Sequence, residues 1–225
     1  MERQAVIFDL DGVIVSTDDC HYRAWKRLAD DEGIYFDREI NLRLRGVSRM
    51  DCLEVMLERT SRTYNTEQKS EMADRKNNYY RKLIQQLTPD HILPGVMPIL
   101  KDLKKNGIKI AIGSSSKNTP LILERIGLAG YFDAVADGND LTKSKPDPEV
   151  FLIAAQRLGV LPKNCLVIED ADAGVEAALA ADMLVLGVGT AAGNNRATLR
   201  ARALDVVSAE ELINIISNRN QALHN

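Results

Sequence analysis

Short runs of apolar residues recur along the chain, each bounded by Gly, Pro, Asp or Ser, and they predict β-strands. The predicted strands are residues 5–10, 108–113, 134–137, 166–169 and 184–188. The runs are apolar almost without interruption, which is typical of a sheet covered on both faces. Helices are predicted between most of them, at residues 96–106, 119–126, 149–158 and 173–181. This alternation predicts βαβ units in an α/β fold with a doubly wound, mainly parallel, Rossmann-like sheet.

The segment between the first two strands interrupts this alternation. It contains many charged residues and apolar stripes at helical spacing, around Trp25 and Leu53, but little that is typical of a strand. We therefore expect a helical cap domain at residues 17–88, inserted after the first strand. Residues 1–16 and 89–225 would then form the α/β core domain.

The composition fits a water-soluble globular protein and narrows the range of partners. The chain has 225 residues, of which 45% are apolar and 27% charged, and its formal net charge is −3. This balance provides no broad cationic surface for nucleic acid or anionic membranes. The apolar stretch at the N-terminus is too short for a signal peptide, and no run is long enough for a membrane helix. We expect a small-molecule substrate, a monomer, and neither a nucleic-acid nor a membrane partner.

The three cysteines, Cys20, Cys52 and Cys165, are widely spaced and odd in number. Such a pattern favours reduced thiols over a disulfide framework. No CxxC or HxxxH pair completes a zinc site. The cysteines therefore indicate a cytoplasmic protein.

Two carboxylates, Asp9 and Asp11, stand at the end of the first predicted strand. Side chains two residues apart point to the same face of an extended chain, so both carboxylates can face one point. At about 4 Å two such charges repel by about 4 kcal/mol at an effective dielectric constant of about 20, so a cation or a shared proton must offset the repulsion. Alone, the pair is equally typical of turn acids facing solvent. A calcium loop is excluded because Val13 stands where an oxygen ligand is needed.

A Ser-rich loop follows the second predicted strand and precedes a predicted helix. Its residues are Ser114, Ser115, Ser116, Lys117 and Asn118. Hydroxyls, backbone amides, the positive end of the helix dipole and the charge of Lys117 together provide a seat for a phosphate. The alternative interpretation is a helix-capping serine in an ordinary loop.

A lysine and two adjacent acids complete the candidate residues. Pro146 keeps Lys145 extended, so its ammonium group can point inward, although solvated lysines are commoner. Glu169 and Asp170 close an apolar strand, which suggests binding of a hard cation. Open α/β sheets bind ligands at the carboxyl ends of their strands, where all these segments lie, so we expect them to converge. The combined set predicts magnesium-dependent phosphoryl transfer.

Four motifs in this order closely resemble those of the haloacid dehalogenase superfamily of phosphotransferases. They are FDLDGV at residues 8–13, Ser114, Lys145 in KP, and EDADAG at residues 169–174. The resemblance spans the whole chain and implies that the helical insertion is the cap of that superfamily. Within it, the chain is most similar to the β-phosphoglucomutases, through segments that include RAWKRLA at 23–29, GVSR at 46–49 and SSSKN at 114–118.

The resemblance implies that Asp9 is the nucleophile, which becomes an aspartyl phosphate, and that Asp11 is the general acid and base for the sugar hydroxyls. Ser114 and Lys145 would bind the transferring phosphoryl group. The residues implied to hold Mg²⁺ are Asp9, Asp11 through its main-chain carbonyl, Asp170 and, as a further or indirect ligand, Glu169.

The same resemblance implies a set of substrate contacts. Those to the second, non-reacting phosphate are Arg49, Ser116, Lys117 and Asn118. Those to the sugar, or in support of Asp11, are His21, Gly46, Val47 and Lys76. Thr17 at the hinge and Ser115 in the phosphate seat complete the implied contacts. Because Arg49 lies in the cap and Lys117 in the core, the second phosphate would draw the cap closed and exclude water.

The resemblance leads to one expected activity and one alternative. We expect the interconversion of β-D-glucose 1-phosphate and D-glucose 6-phosphate, with β-D-glucose 1,6-bisphosphate as activating intermediate. The alternative is a sugar-phosphate phosphatase on the same scaffold, in which water reaches the phospho-aspartate because the cap closes less completely. The intact set of candidate residues argues against a non-catalytic phosphate sensor or scaffold protein.

Overall fold

A computed structural model describes residues 3–44 and 47–222 of the chain. Its strands are β1 (Ala5–Phe8), β2 (Lys109–Gly113), β3 (Ala134–Ala136), β4 (Cys165–Glu169), β5 (Leu184–Gly187) and β6 (Leu199–Arg200). They form a parallel sheet in the order β3-β2-β1-β4-β5-β6. The direction of winding reverses beside β1, which is where doubly wound sheets bind ligands. The predicted doubly wound parallel sheet is confirmed.

Helices follow the strands and fill the long segment after β1. The first group is α1 (Asp18–Glu32), α2 (Arg38–Leu42), α3 (Arg49–Leu57) and α4 (Thr66–Ile84). The second group is α5 (Val96–Lys105), α6 (Thr119–Arg125), α7 (Glu149–Leu158), α8 (Asp172–Ala180) and α9 (Ala209–Ala222). Within the described part of the chain, none of these helices combines the length and the apolar character that crossing a membrane requires.

Both faces of the sheet are buried, as its continuous apolar strands predict. In β1, Val6 and Phe8 belong to one apolar cluster and Ala5 and Ile7 to another, and all four are 0% exposed. Successive side chains of a strand point to opposite faces, so the two clusters are the two layers of the core. Helices α5, α6 and α9 cover the first layer, and α7 and α8 cover the second.

Helices α1 to α4, called the helical segment below, have an apolar cluster of their own. It contains Trp25 from α1, Leu53 from α3 and Met72 from α4. The chain leaves and re-enters the sheet layer at adjacent points, where Val15 forms an isolated bridge with Ile92. The predicted domain boundaries at residues 16–17 and 88–89 lie close to this bridge, and they stay a prediction.

Candidate active site

A cleft of about 900 Å³ lies between the helical segment and the carboxyl end of the sheet. It brings together most residues singled out in the sequence. These are Asp9, Asp11, His21, Val47, Arg49, Lys76, Ser114, Ser115, Ser116, Lys117, Asn118, Lys145, Glu169 and Asp170. Gly46 lies outside the described residues. Thr17 is 0% exposed and is not among the residues that line the cleft, and its predicted contact with the substrate stays a prediction.

Three carboxylates form an acidic cluster at the centre of the sheet edge. Asp9 follows β1, Glu169 ends the neighbouring β4 and Asp170 comes directly after it. One oxygen from each carboxylate lies within 4.8 Å of the others. The Asp9 amide donates to the Ile168 carbonyl at 2.9 Å, which extends the ladder between the two strands. Glycine at position 12 lets the Asp170 carboxylate lie close to the backbone after β1. The φ of Gly12 is +88°, and a Cβ there would lie 2.1 Å from the Asp170 carboxylate. Clustered hard oxygen atoms of this kind could hold a divalent cation.

Lys145 reaches the acidic cluster from the loop before α7. Its Nζ donates to Asp9 Oδ1 at 2.6 Å and to Glu169 Oε2 at 2.9 Å, and its side chain is 1% exposed. Burial acts to lower the pKa of Lys145, but the two carboxylates outweigh it and raise that pKa. Burial raises the pKa of Asp9, against the opposing effect of Lys145, and raises the pKa of Glu169 to about 8. The Lys145 ammonium group and the carboxyl groups of Asp9 and Glu169 therefore stabilise one another in the buried site.

Asp11 is part of a second hydrogen-bonded group, and its side chain does not join the acidic cluster. Thr17 donates its hydroxyl to Asp11, and Thr17 Oγ1 lies 2.9 Å from the Tyr80 hydroxyl. Burial raises the pKa of Asp11 to about 7, while the Thr17 hydrogen bond opposes the shift. The cleft leaves 30% of the Asp11 side chain accessible, so water moderates this effect. Such a carboxyl group can both accept and release a proton near neutral pH.

His21 and Lys76 lie beside Asp11. Lys76 Nζ lies 2.9 Å from His21 Nδ1 and 4.7 Å from the ring centres of Trp25 and Tyr80. Burial lowers the pKa of Lys76 to about 7 and lowers the pKa of His21 well below its ordinary value. When Lys76 donates to Nδ1, neutral His21 carries its proton on Nε2, which lies 3.9 Å from Asp11 Oδ2. His21 then faces Asp11 with a proton donor.

The Ser-rich loop at residues 114–118, called the phosphate loop below, connects β2 to α6. Ser114 is buried, and its Oγ accepts from the Ser116 amide at 3.2 Å. The hydroxyl of Ser115 is buried without a hydrogen-bond partner among the described residues. A buried polar atom of this kind costs stability unless a ligand or water satisfies it. The loop therefore offers an unused hydroxyl to the cleft.

Two cations line the cleft from opposite bodies of the protein. Arg49 begins α3 in the helical segment, and Lys117 belongs to the phosphate loop. Within residues 3–44 and 47–222, no carboxylate forms an ion pair with either side chain. Burial lowers the pKa of the half-buried Arg49 guanidinium, and the attraction of Asp74 opposes this shift only in part. An anion in the cleft would supply the missing negative charge.

Sequence reasoning missed Tyr80, Asn77 and Arg81 on α4. Tyr80 supports Thr17, and the other two contact Asn118 in the phosphate loop. A helical spacing of four residues places Lys76 beside Tyr80 and Asn77 beside Arg81, so the position of Lys76 was a usable signal for Tyr80. The segment RKN at residues 75–77, which shares in the resemblance, contains Asn77 but gave it no role. No pattern identified Arg81, because its partner lies about forty residues further along the chain.

The family model for haloacid dehalogenase-like hydrolases matches residues 4–182. The matched range contains the acidic cluster, Lys145 and the phosphate loop. The chain belongs to the haloacid dehalogenase-like hydrolase family.

Relatives within the haloacid dehalogenase-like family include a mutase and phosphatases. A β-phosphoglucomutase of Bacillus subtilis is 46% identical over 188 residues, 83% of this chain and 83% of that protein. A crystal structure of β-phosphoglucomutase from Clostridium difficile is 40% identical, with a TM-score of 0.90 over 99% of this chain and 100% of that one. A phosphorylated carbohydrates phosphatase of Thermotoga maritima is 31% identical over 217 residues, 95% of this chain and 98% of that protein. The chain is thus an enzyme of the phosphotransferase and hydrolase type.

Proposed function

We propose that the protein is a β-phosphoglucomutase, which interconverts β-D-glucose 1-phosphate and D-glucose 6-phosphate through β-D-glucose 1,6-bisphosphate. The observation that carries the proposal is the pair of cations Arg49 and Lys117, which have no ion-pair partner in the described part of the chain and line the same cleft as the buried Asp9 and Lys145. A bisphosphate needs two anion seats in one cleft, because either phosphate must fit either seat. The similarity to the named mutases of Bacillus subtilis and Clostridium difficile supports the same substrate.

In the proposed reaction Asp9 carries the phosphoryl group. The C6 hydroxyl of β-D-glucose 1-phosphate attacks the phosphorus, its oxygen forms the new P–O bond, and the bond to Asp9 breaks. Asp11 takes the hydroxyl proton, a role that a pKa of about 7 suits. After the bisphosphate turns round, Asp9 attacks the C1 phosphoryl group and Asp11 returns the proton to the C1 oxygen. Asp9 is thereby phosphorylated again, and glucose 6-phosphate leaves.

The surrounding side chains have distinct proposed tasks. Thr17 donates a hydrogen bond to Asp11, and the Tyr80 hydroxyl contacts Thr17, so both residues position the acid and base. His21 and Lys76 face Asp11 and the sugar. Ser114 and Lys145 bind the transferring phosphoryl group, whose negative charge their donors stabilise.

We propose that the acidic cluster holds the Mg²⁺ ion, with Asp9 and Asp170 as ligands and Glu169 as a further or indirect ligand. Asp11 would contribute its main-chain carbonyl. The fit is chemical, because the cluster presents three carboxylate oxygens within 4.8 Å and Mg²⁺ prefers such hard donors. When bound, the ion neutralises charge on the phosphoryl oxygens. Lys145 supplies a further positive charge to the same group.

The second seat takes the phosphate that does not react. Arg49 and Lys117 provide charge, and Ser115, Ser116 and Asn118 provide neutral donors from the phosphate loop. A phosphate held between α3 and this loop bridges the helical segment and the sheet. We propose that this bridge closes residues 17–88 as a cap and keeps water from the phospho-aspartate.

A sugar-phosphate phosphatase is the second candidate. The Thermotoga maritima phosphatase, which aligns over 95% of this chain, supports it. In that case water attacks the phospho-aspartate, and no isomerised sugar forms. Because a mutase and a phosphatase both form the phospho-aspartate, only the product distinguishes the two activities.

The test is a parallel assay of both products. The enzyme is mixed with Mg²⁺, β-D-glucose 1-phosphate and a trace of the 1,6-bisphosphate, and glucose 6-phosphate and free phosphate are followed together. We expect glucose 6-phosphate without an equivalent release of phosphate. Free phosphate without glucose 6-phosphate would instead assign a phosphatase.

A further inference from the structure

The side chain of Asn118 in the phosphate loop is hydrogen-bonded to one face of α4. Asn118 precedes α6, but its side chain makes no capping hydrogen bond there. Instead, its Nδ2 donates to Asn77 Oδ1 at 2.9 Å, and its Oδ1 accepts from Arg81 Nη1 at 3.2 Å. Asn77 and Arg81 are four residues apart and therefore share a helix face. Both polar ends of the Asn118 amide are thus held from the helical segment.

This arrangement fixes which way the Asn118 amide points. Arginine has only donors, so the atom facing Arg81 must be the carbonyl oxygen of Asn118. The terminal torsion of asparagine is otherwise broad and allows the amide to turn over. While Arg81 donates to the Asn118 oxygen, one N–H of the Asn118 NH₂ group donates to Asn77. The second N–H has no acceptor among the residues that the structure describes, and Asn118 lines the cleft.

The polarity of the amide matters at an anion seat. An amide turned over would present its oxygen to the phosphate and repel it, whereas an N–H donates to it. Arg81 is suited to prevent the turnover, because its hydrogen bond to Asn118 carries a charge and no ion pair within the described residues competes for its guanidinium.

We infer that Asn77 and Arg81 are positioning residues that keep Asn118 as a donor at the second phosphate seat and hold the helical segment against the phosphate loop. The inference rests on the proposed function for the identity of the anion. Losing either residue should weaken binding of the non-reacting phosphate and admit water to the phospho-aspartate.

Matched alanine substitutions on α4 test this role. Asn77→Ala and Arg81→Ala are compared with Asn78→Ala and Lys82→Ala, which change the same kinds of side chain at neighbouring exposed positions. We expect KM for β-D-glucose 1-phosphate to rise about fivefold to tenfold in the first pair, since about tenfold corresponds to 1.4 kcal/mol, the size of a hydrogen bond. The free phosphate released per glucose 6-phosphate should rise with it. Both controls should stay within about twofold of the parent.

A conservative variant separates positioning from folding. Asn77→Gln keeps a neutral side-chain acceptor for the Asn118 NH₂ group, so it should restore part of the loss seen in Asn77→Ala. Equal KM values in Asn77→Ala, Arg81→Ala and the controls would overturn the inference. If the parent forms no glucose 6-phosphate, the proposed function fails. The thermal shift given by inorganic phosphate, compared between Asn77→Ala and Asn78→Ala, then still decides the inference.

Discussion

Asp9 lies at the point where the central strand ends and three other charges meet. Lys145 holds it at 2.6 Å, and Glu169 shares the same ammonium group at 2.9 Å. Burial raises the pKa of this carboxyl group, while the charge and hydrogen bond of Lys145 oppose the rise and so favour its ionised form. This is the environment that a nucleophilic carboxylate requires.

Replacing Asp9 by asparagine should abolish phosphoryl transfer and leave the fold intact. An amide of the same shape cannot form the aspartyl phosphate, so we expect a loss of about a thousandfold or more, as for other nucleophile replacements. The fold should persist because Glu169 still pairs with Lys145. Formation of glucose 6-phosphate and the melting temperature are measured, with the exposed Asp102→Asn as control. Turnover within about tenfold of the parent would contradict the role of Asp9.

Lys76 is a second residue whose charged form is disfavoured by burial in the folded protein. It is 3% exposed, it contacts two aromatic rings and His21, and its pKa is lowered to about 7. In the unfolded chain a lysine keeps its proton up to about pH 10.4. Between these two pKa values the unfolded state binds more protons than the folded state, so stability rises with pH in that window.

The Lys76→Met variant should lose this pH dependence. Relative to the variant, the free energy of unfolding of the parent should rise by about 2 kcal/mol between about pH 7.5 and pH 9.5, since each pKa unit corresponds to about 1.36 kcal/mol. Urea unfolding at the two pH values measures the difference. Lys82→Met, at an exposed position of the same helix, should show no such change. A constant difference between the parent and Lys76→Met would show that Lys76 stays charged.

The sequence predicted which residues belong to the site better than it predicted which of them contact one another. Asp9, Lys145 and the acids after β4 follow strands whose pattern is strong, so their convergence is a property of the parallel sheet. The position of Thr17 could not be predicted in this way. Its partner Tyr80 lies 63 residues further along the chain, and no local pattern reports a contact over that separation.

At the scale of elements, the phosphate loop is held by a neighbouring backbone. Gly138 packs directly against it: its amide donates to the Ser116 carbonyl at 3.2 Å. A Cβ at Gly138 would lie 2.4 Å from the Ser115 carbonyl oxygen and 2.8 Å from the Lys117 amide nitrogen. Such approaches to backbone atoms require one of the two segments to move.

A methyl group at Gly138 should therefore displace the phosphate loop and weaken phosphate binding. We expect Gly138→Ala to raise KM for β-D-glucose 1-phosphate by about tenfold, because a shift of about 1 Å at a positioning group has effects of this size or larger. Gly193→Ala is the matched control, since a Cβ there meets nothing within 4 Å. Steady-state kinetics measure both. An unchanged KM in Gly138→Ala would mean that the loop does not seat the phosphate.

The long elements of the fold were predictable and the short ones were not. Continuous apolar runs identified the first five strands, and helical periodicity identified α5 and α7. No comparable pattern marks α2, which has five residues, or β6, which has two. Elements of that length carry too few positions to establish a period, so tertiary packing defines them.

At the scale of the whole molecule, the cleft lies between the sheet and the helical segment. The helical segment has an apolar cluster of its own, but its residues Ala24, Tyr80 and Ile84 belong to the first layer of the sheet core. The sheet provides the acidic cluster and the phosphate loop, and the helical segment provides Arg49, Lys76 and the Asn118 contacts. The acidic cluster is the point where a cation is most needed, because it brings three carboxylates together and the Lys145 ammonium group contacts two of them.

Magnesium should stabilise the folded protein and be required for turnover. An ion present at about a hundred times its dissociation constant adds about 2.7 kcal/mol if it binds only the folded state. We expect chelation to abolish turnover and lower the melting temperature, and added Mg²⁺ to restore both. Asp170→Asn should lose the Mg²⁺-dependent shift, and the exposed Asp90→Asn should keep it. The same shift in both variants would rule out the acidic cluster as the site.

The central claim is that Asp9 carries the phosphoryl group between two positions of one sugar. The most direct test is rapid quenching of the enzyme after mixing with Mg²⁺ and β-D-glucose 1,6-bisphosphate labelled in its phosphates, followed by peptide mapping with and without added β-D-glucose 1-phosphate. We predict that the label lies on Asp9 and that the added sugar phosphate removes it far faster than water does. Absence of label on Asp9, or equal loss with and without the sugar, would contradict the account.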